Sequence, residues 1–293
     1  MADTQRLEPI VIDSGTFLQK HHVLPALPQA VHEIRTIIHS EKISIRKIVE
    51  IIKKDPGLVA QILKIVNSAY YSIPREVKDV SLAVAYLGIN EVYHLVVSVY
   101  VLDALANGNK HEFNRIWYHS NYTALNSKHI AKQYEPLLNS NDIWVHSILH
   151  DIGRLVYIKF FPDHYKALRK YVVTNGCLFR EAERYYDLPH SSYLGSLLCD
   201  HWGLPQDIKE TCAAHDLEDL KTMRPETEPE RIRRIVTIGS LLTSLATEKL
   251  RHDISSDISE AVQKSLGCTE SEFLVTMARV YELKIDMEKY FRS

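Results

Sequence analysis

The chain has 293 residues, a formal net charge of −2, 45% hydrophobic residues and 25% charged residues. That balance fits a globular protein with a sizeable core and gives no electrostatic case for binding nucleic acid or an anionic membrane. Cys177, Cys199, Cys212 and Cys268 form no Cys-x-x-Cys pair, no run approaches about 18 unbroken apolar residues, and the start MADTQRLEPI lacks a secretory apolar stretch, so a reducing, cytoplasmic setting is expected.

Helical spacing recurs along almost the whole chain. Val31, Ile34 and Ile38 mark a first apolar face, and Ile45, Ile48, Val49 and Ile52 a second. Asp55-Pro56 is a strong helix start, because Asp accepts orphan amide bonds and Pro has no amide to waste. Leu58, Ile62, Ile65, Val66 and Ala69 continue that helix. Asp79 caps a short helix ending at Gly88, and Asn90 caps the next, which reaches about Leu105. Within it Val96-Val97-Ser98-Val99-Tyr100-Val101 has strand-like composition. The longer pattern at 92, 95, 96, 99 and 102 is helical and takes precedence.

Asn107-Gly108-Asn109 is a turn and the best boundary between two halves. Helices are predicted over 111–133, 141–150, 163–173, 178–186, 189–202 and 205–215. The polar, acidic stretch 216–230 reads as a loop or linker, and helical pattern resumes at 231–249 and near 270–283. The expected fold class is all-α, with an N-terminal helical bundle packed against a second helical domain. The expected division is an extension over 1–21, a bundle over 22–106, a histidine-bearing domain over 107–215, the linker 216–230, and C-terminal helices over 231–293.

The chemistry is concentrated in histidines. His150-Asp151-Ile152-Gly153 offers an imidazole and a carboxylate to one divalent metal, and His119, His190 and His215 lie on separate predicted helices. His190 shares a helical face with Leu194, Leu197 and Leu198, His215 with Ile208 and Cys212, and His119 flanks the face of Ile116, Thr123 and Ile130. Such inward histidines need a hydrogen-bond partner or a metal, since an unpaired buried polar group costs roughly 1–3 kcal/mol. The remaining histidines, His21, His22, His39 and His111 among them, read as surface residues. Asn67-Ser68 reads as a local hydrogen-bonding device, Arg231, Arg233 and Arg234 as a solvated helix face, and Trp117 and Trp144 as core.

Two stretches resemble the HDOD proteins, the HD-related output domains of bacterial signalling. Leu24-Pro25-Ala26-Leu27-Pro28 resembles the family's opening. Asp55-Pro56-Gly57-Leu58 with Ile62 to Tyr70 resembles its central Asp-Pro and Asn-Ser-Ala block, and Val80 to Gly88 its Ala-x-x-x-Leu-Gly helix. The second stretch carries His150-Asp151-Ile152-Gly153 and Trp202-Gly203-Leu204-Pro205.

The resemblance implies an HD-like second domain and a bacterial signalling context, in a family whose members have mostly lost metal ligands and have no assigned activity. Compared with HD-superfamily phosphohydrolases, His119-Ser120 resembles the first ligand and His150-Asp151 the defining pair. His190 and His215 resemble the later histidines, with Ala214-His215-Asp216 in place of the common His-His-Glu. Ser240 sits where the terminal metal-ligating Asp would fall, Arg154 replaces a common lysine, and the Gly-Tyr-Pro signature of diguanylate phosphodiesterases is absent. Two readings follow. One is a non-catalytic signalling module that binds signalling proteins, itself able to pair as a homodimer. The other is a metal-dependent phosphohydrolase acting on a nucleotide or phosphoester. In it His119, His150, Asp151, His190 and His215 would hold Fe, Mn, Zn or Mg, with Asp151 and Arg154 in catalytic roles and Arg154 contacting phosphate. The absent terminal Asp favours the first.

Overall fold

The computed structural model describes residues 7–10, 28–38, 40, 44–68, 70–71, 73–105 and 110–292. All regular elements among them are helices: α1 Gln29–Ile38, α2 Ile45–Lys53, α3 Pro56–Val66, α4 Val80–Leu87, α5 Ile89–Leu105, α6 Lys110–Tyr134, α7 Ser140–Leu149 and α8 Ile152–Phe160. They continue as α9 Pro162–Asn175, α10 Phe179–Tyr185, α11 Ser191–Trp202, α12 Gln206–Ala213, α13 Leu217–Thr222, α14 Glu228–Thr247, α15 His252–Leu266 and α16 Glu270–Arg292. The Leu24–Leu27 motif, His21, His22, His39 and the Asn107-Gly108-Asn109 turn lie outside the described residues.

Local chemistry sets α3 and α4 as expected, whereas α5 begins at Ile89, with its expected cap Asn90 already inside the helix. Asp55 caps α3 by accepting from the Leu58 amide at 3.1 Å, and its other oxygen accepts from the Tyr100 hydroxyl at 3.0 Å on α5. Asp79 caps α4 through the Ser81 amide at 2.6 Å and pairs with Lys53 at 2.8 Å. Asn67 clamps the chain after α3, bonding Leu63 O at 2.8 Å and both the amide and carbonyl of Val77 at 2.7 and 2.9 Å. That bracket spans ten residues, farther than a local cap reaches. The strand-like valines lie in α5, where Val92, Leu95, Val96, Val97, Val99 and Val101 are all buried. A helix apolar around its circumference belongs in the middle of a protein. Accordingly α5 packs on α1, α3 and α4 within the bundle and on α7 and α8 beyond it.

In the second half, α6 and α14 form the largest helix pair, with α7, α8, α11 and α12 closing around them. Two glycines allow the backbones to meet. A Cβ on Gly153 would lie 1.8 Å from Ser191 O and 2.6 Å from Gly195 N, so α8 and α11 touch backbone to backbone. A Cβ on Gly239 would lie 2.1 Å from Ser127 Oγ and 3.0 Å from Thr123 O, so α14 lies directly on α6.

Several expectations are corrected. The stretch 216–230, expected as loop or linker, contains α13, which Asp216 caps and which buries Leu217 and Leu220. Its acidic residues serve as caps: Asp216 accepts from the amides of Glu218 and Asp219, and Glu230 from that of Thr227. Helices α8 and α15 were not expected. The basic run on α14 is half-buried, and two of its three members are paired: Arg234 with Glu135, and Arg233 with Glu210 at 3.7 Å. Trp144 is core, whereas Trp117 is only partly buried.

Candidate metal centre

His150 and Asp151 occupy the turn between α7 and α8, where the close α8–α11 crossing at Gly153 fixes the backbone. Asp151 is the N-cap residue of α8 yet makes no side-chain cap bond. Its carboxylate turns into the protein instead, forgoing a stabilising cap worth about 1 kcal/mol. His119 arrives from α6 and Ser240 from α14, brought together by the Gly239 contact.

The imidazole Nε2 atoms of His119 and His150 each lie 3.6 Å from Asp151 Oδ2. The donor atoms of these three buried residues all fall within 4.8 Å of one another. His150 Nδ1 lies 2.7 Å from the Ser147 carbonyl, to which it donates, so its Nε2 carries the lone pair facing the centre. Burial drives the His119 imidazole down to about 3, against the pull of Asp151, and the His150 imidazole down to about 4 for the same reason. Burial alone would raise the Asp151 carboxyl, but Arg154, His150 and His215 overcome it and hold it well below the usual range. Neutral imidazoles beside an ionised carboxylate are the protonation states that a metal requires.

The two oxygens of Asp151 have different roles. Oδ1 accepts from His215 Nε2 at 3.1 Å and lies 3.1 Å from Arg154 Nε. Oδ2 is buried and has no hydrogen-bond partner. An orphaned carboxylate oxygen facing two imidazoles fits one divalent cation, held by His119 Nε2, His150 Nε2 and Asp151 Oδ2.

Ser240 stands at the position expected from the sequence, its Oγ 3.2 Å from His119 Nε2 and 3.1 Å from His150 Nε2. Both ring nitrogens of His215 face oxygen acceptors, Thr211 O and Asp151 Oδ1, each at 3.1 Å. His215 thus faces Asp151 Oδ1 and stands outside the group of three donor atoms. His190 does not join the group. It precedes α11 as a partly exposed N-cap residue, with Nδ1 3.2 Å from Glu183 Oε2, which corrects the expectation of an inward histidine. The grouping of the remaining histidines as surface residues is corrected at His146. Buried on α7, it bonds Thr211 Oγ1 at 2.7 Å and pairs with Asp207 at 3.4 Å on α12. Its spacing of four before His150 was the available signal.

A cavity of 260 Å³ adjoins the centre and is lined by His119, Arg154, Arg115, Arg169 and Lys249, with Glu248 the one acidic side chain among its walls. These cations come from α6, α8, α9 and the chain after α14, so no local sequence pattern announces them. Arg154 also stacks over the Phe179 ring at 4.8 Å.

The all-helical fold holds the His–Asp pair against a histidine on a neighbouring long helix, the arrangement that the resemblance to HD-related proteins implied. The HDOD domain family matches residues 24–217, and the chain belongs to that family. It is 26% identical over 196 residues to an uncharacterized protein of Treponema pallidum (strain Nichols), covering 66% of this chain and 37% of that protein, so it spans well under half of that relative. An HDOD domain protein of Geobacter sulfurreducens with unknown function superposes with a TM-score of 0.70, at 20% identity over 94% of both chains. A candidate metal-dependent phosphohydrolase of Shewanella amazonensis SB2B gives 0.61, at 16% identity over 89% of this chain and 92% of that one. A candidate signal transduction protein of Marinobacter aquaeolei VT8 gives 0.67, at 20% identity over 91% of this chain and 58% of that one.

Proposed function

We propose that this HDOD protein is a signalling module that acts by binding partner proteins, with an HD centre reduced to a single cation site. The observation that carries this reading is the division of labour on Asp151. Two-metal hydrolysis needs a clamp on both the attacking and leaving oxygens, and a carboxylate that bridges two ions must offer both of its own oxygens. Here Arg154 and His215 hold Oδ1, leaving Oδ2 alone, and Ser240 supplies a neutral hydroxyl where a further carboxylate would stand. A partner-binding role is supported by α16, which exposes Leu274, Tyr281 and Ile285 on one face at i, i+7 and i+11. The signal-transduction assignment of the Marinobacter neighbour fits the same reading.

A second reading has one observation in its favour. The cationic cavity beside His119 has the charge to receive a phosphoester, with Arg154 poised between it and Asp151. In that reading a bound metal would polarise a phosphoryl oxygen and activate a water, and the Shewanella neighbour is the fitting comparison. The test is turnover of p-nitrophenyl phosphate, bis-p-nitrophenyl phosphate and cyclic nucleotides with excess Mn, Fe, Zn or Mg. The module reading expects rates no higher than those of His150→Ala/Asp151→Ala. Robust metal-dependent turnover that the double variant abolishes would overturn it in favour of the hydrolase.

A further inference from the structure

A second constellation of chemical groups lies away from the His–Asp centre, at the junction of the two halves. A cavity of 560 Å³ is walled by Arg35 of α1, the first turn of α5, and Asn139 and Asp142 at the start of α7. Glu91, Tyr93 and His94 of α5 complete the wall.

Glu91 is the informative residue. It is 2% exposed, its Oε1 accepts from the Tyr71 hydroxyl, and its Oε2 has no hydrogen-bond partner. Among the described residues the nearest basic group to Oε2 is His94 Nδ1 at 3.9 Å, itself buried and without a hydrogen bond. Burial lowers that imidazole from its usual value, so it supplies little positive charge. The second carboxylate, Asp142, adds like charge to Glu91. The lining thus includes two carboxyl groups, one with an orphaned buried oxygen, and among the described residues neither has a lysine or arginine paired to it, an arrangement that costs stability unless something compensates it.

The same lining also carries groups of the opposite character. Arg35 reaches across from α1 to donate to Gly203 O at 3.2 Å, and its guanidinium lines the cavity. Beside it the α5 N-terminus presents the amides of Ile89, Asn90 and Glu91, the first of a 17-residue helix and without partners inside it. The Tyr93 ring forms part of the wall, 5.8 Å from the ring of His94.

We propose that this cavity is a second ligand site that takes a small zwitterion of amino-acid size. Its ammonium group sits against Glu91 and Asp142, and its carboxylate against Arg35 and the α5 amides. A simple cation would meet Arg35 and the helix N-terminus, and a simple anion would meet two carboxyl groups; a zwitterion satisfies both sets of groups. Binding ties α1, α5 and α7 together, which gives the ligand a hold on how the bundle sits against the helices that carry His150 and Asp151. The site is independent of whether the His–Asp centre binds metal.

Binding carries a proton signature. Burial pushes the Glu91 carboxyl up to about 8, with the Tyr71 bond opposing and Asp142 adding to the rise. Glu91 is therefore largely neutral at pH 7, and an arriving ammonium ion favours its ionised form. The carboxyl proton passes to the buffer, leaving a carboxylate–ammonium pair.

The experiment is isothermal titration calorimetry of the full chain with each of the standard L-α-amino acids at millimolar concentration, in buffers of differing ionisation enthalpy. At least one amino acid is expected to bind, releasing close to one proton at pH 7. Its affinity should fall by roughly tenfold or more in Glu91→Gln and in Arg35→Gln, and be unchanged in His150→Ala. Glu91→Gln preserves the shape of a group already neutral, and Arg35 is exposed, so neither change threatens the fold. Absence of binding by any amino acid, or binding that both variants leave intact, would overturn the proposal.

Discussion

Replacing Ser240 by aspartate tests the geometry of the centre from the side of the missing ligand. Ser240 is 7% exposed, and its Oγ lies 3.2 Å from His119 Nε2 and 3.1 Å from His150 Nε2. Without a cation, Ser240→Asp adds a second buried carboxylate beside Asp151, and burying an ion costs several kcal/mol. The imidazoles recover part of that cost by taking up protons that burial now denies them until pH falls to about 3 and about 4. A net loss of about 2–4 kcal/mol is expected, which at about 2–4 °C per kcal/mol lowers Tm by roughly 5–15 °C. With the metal the position supplies a fourth donor, and a cation at about a hundred times its Kd returns about 2.7 kcal/mol. Thermal unfolding followed by circular dichroism, in EDTA and then in excess Mn, reads both effects. A variant as stable as wild type in EDTA, or one that gains no more from Mn than wild type gains, would refute the placement of Ser240 at the position of the missing donor.

Three further outcomes follow from the same structure. Gly153→Ala drives a methyl into the Ser191 carbonyl, 1.8 Å away and part of the backbone, so urea unfolding should show a loss of about 3 kcal/mol; a loss below about 1 kcal/mol would contradict the close α8–α11 crossing. Glu91 should make stability fall as pH rises. Below its unfolded value of 4.5 both states are protonated, between 4.5 and about 8 only the unfolded state ionises, and above about 8 the loss is complete. At about 1.4 kcal/mol per tenfold in proton affinity the limit is about 5 kcal/mol, and water entering the adjoining cavity relieves part of it. Glu91→Gln should flatten this slope and gain about 3 kcal/mol at pH 9 while changing little at pH 4; parallel pH profiles of variant and wild type would count against it. His146→Phe, which breaks the clasp from α7 to α12, should cost about 2 kcal/mol in urea unfolding and leave metal content unchanged.

The fold was legible wherever helical period, caps and apolar faces agreed. Asp55-Pro56, Asp79 and the valines of α5 gave the bundle, and His119, His150, Asp151 and Ser240 fall together as the resemblance to HD-superfamily proteins implied. What escaped was set by tertiary contact. His190 sits one residue before its helix, so a helical-face argument misassigned its direction. The acidic residues of 216–230 look like a linker by composition but act as helix caps, which only neighbouring amides reveal. The basic cavity and the Glu91 cavity each draw side chains from several helices, and no spacing along the chain encodes such a meeting. Motifs made the His–Asp centre readable, whereas the state of Asp151, with one oxygen held and one orphaned, exists only in three dimensions.

The most direct measurement is elemental analysis of the purified wild-type chain and of His150→Ala/Asp151→Ala, each loaded with Mn, Fe and Zn and then desalted. A centre with one orphaned carboxylate oxygen and two inward imidazoles should retain about one transition-metal ion per chain, lost in the double variant. Retention of two ions per chain would contradict the single-cation centre, and retention of none would show that the His–Asp cluster is a hydrogen-bonded core alone.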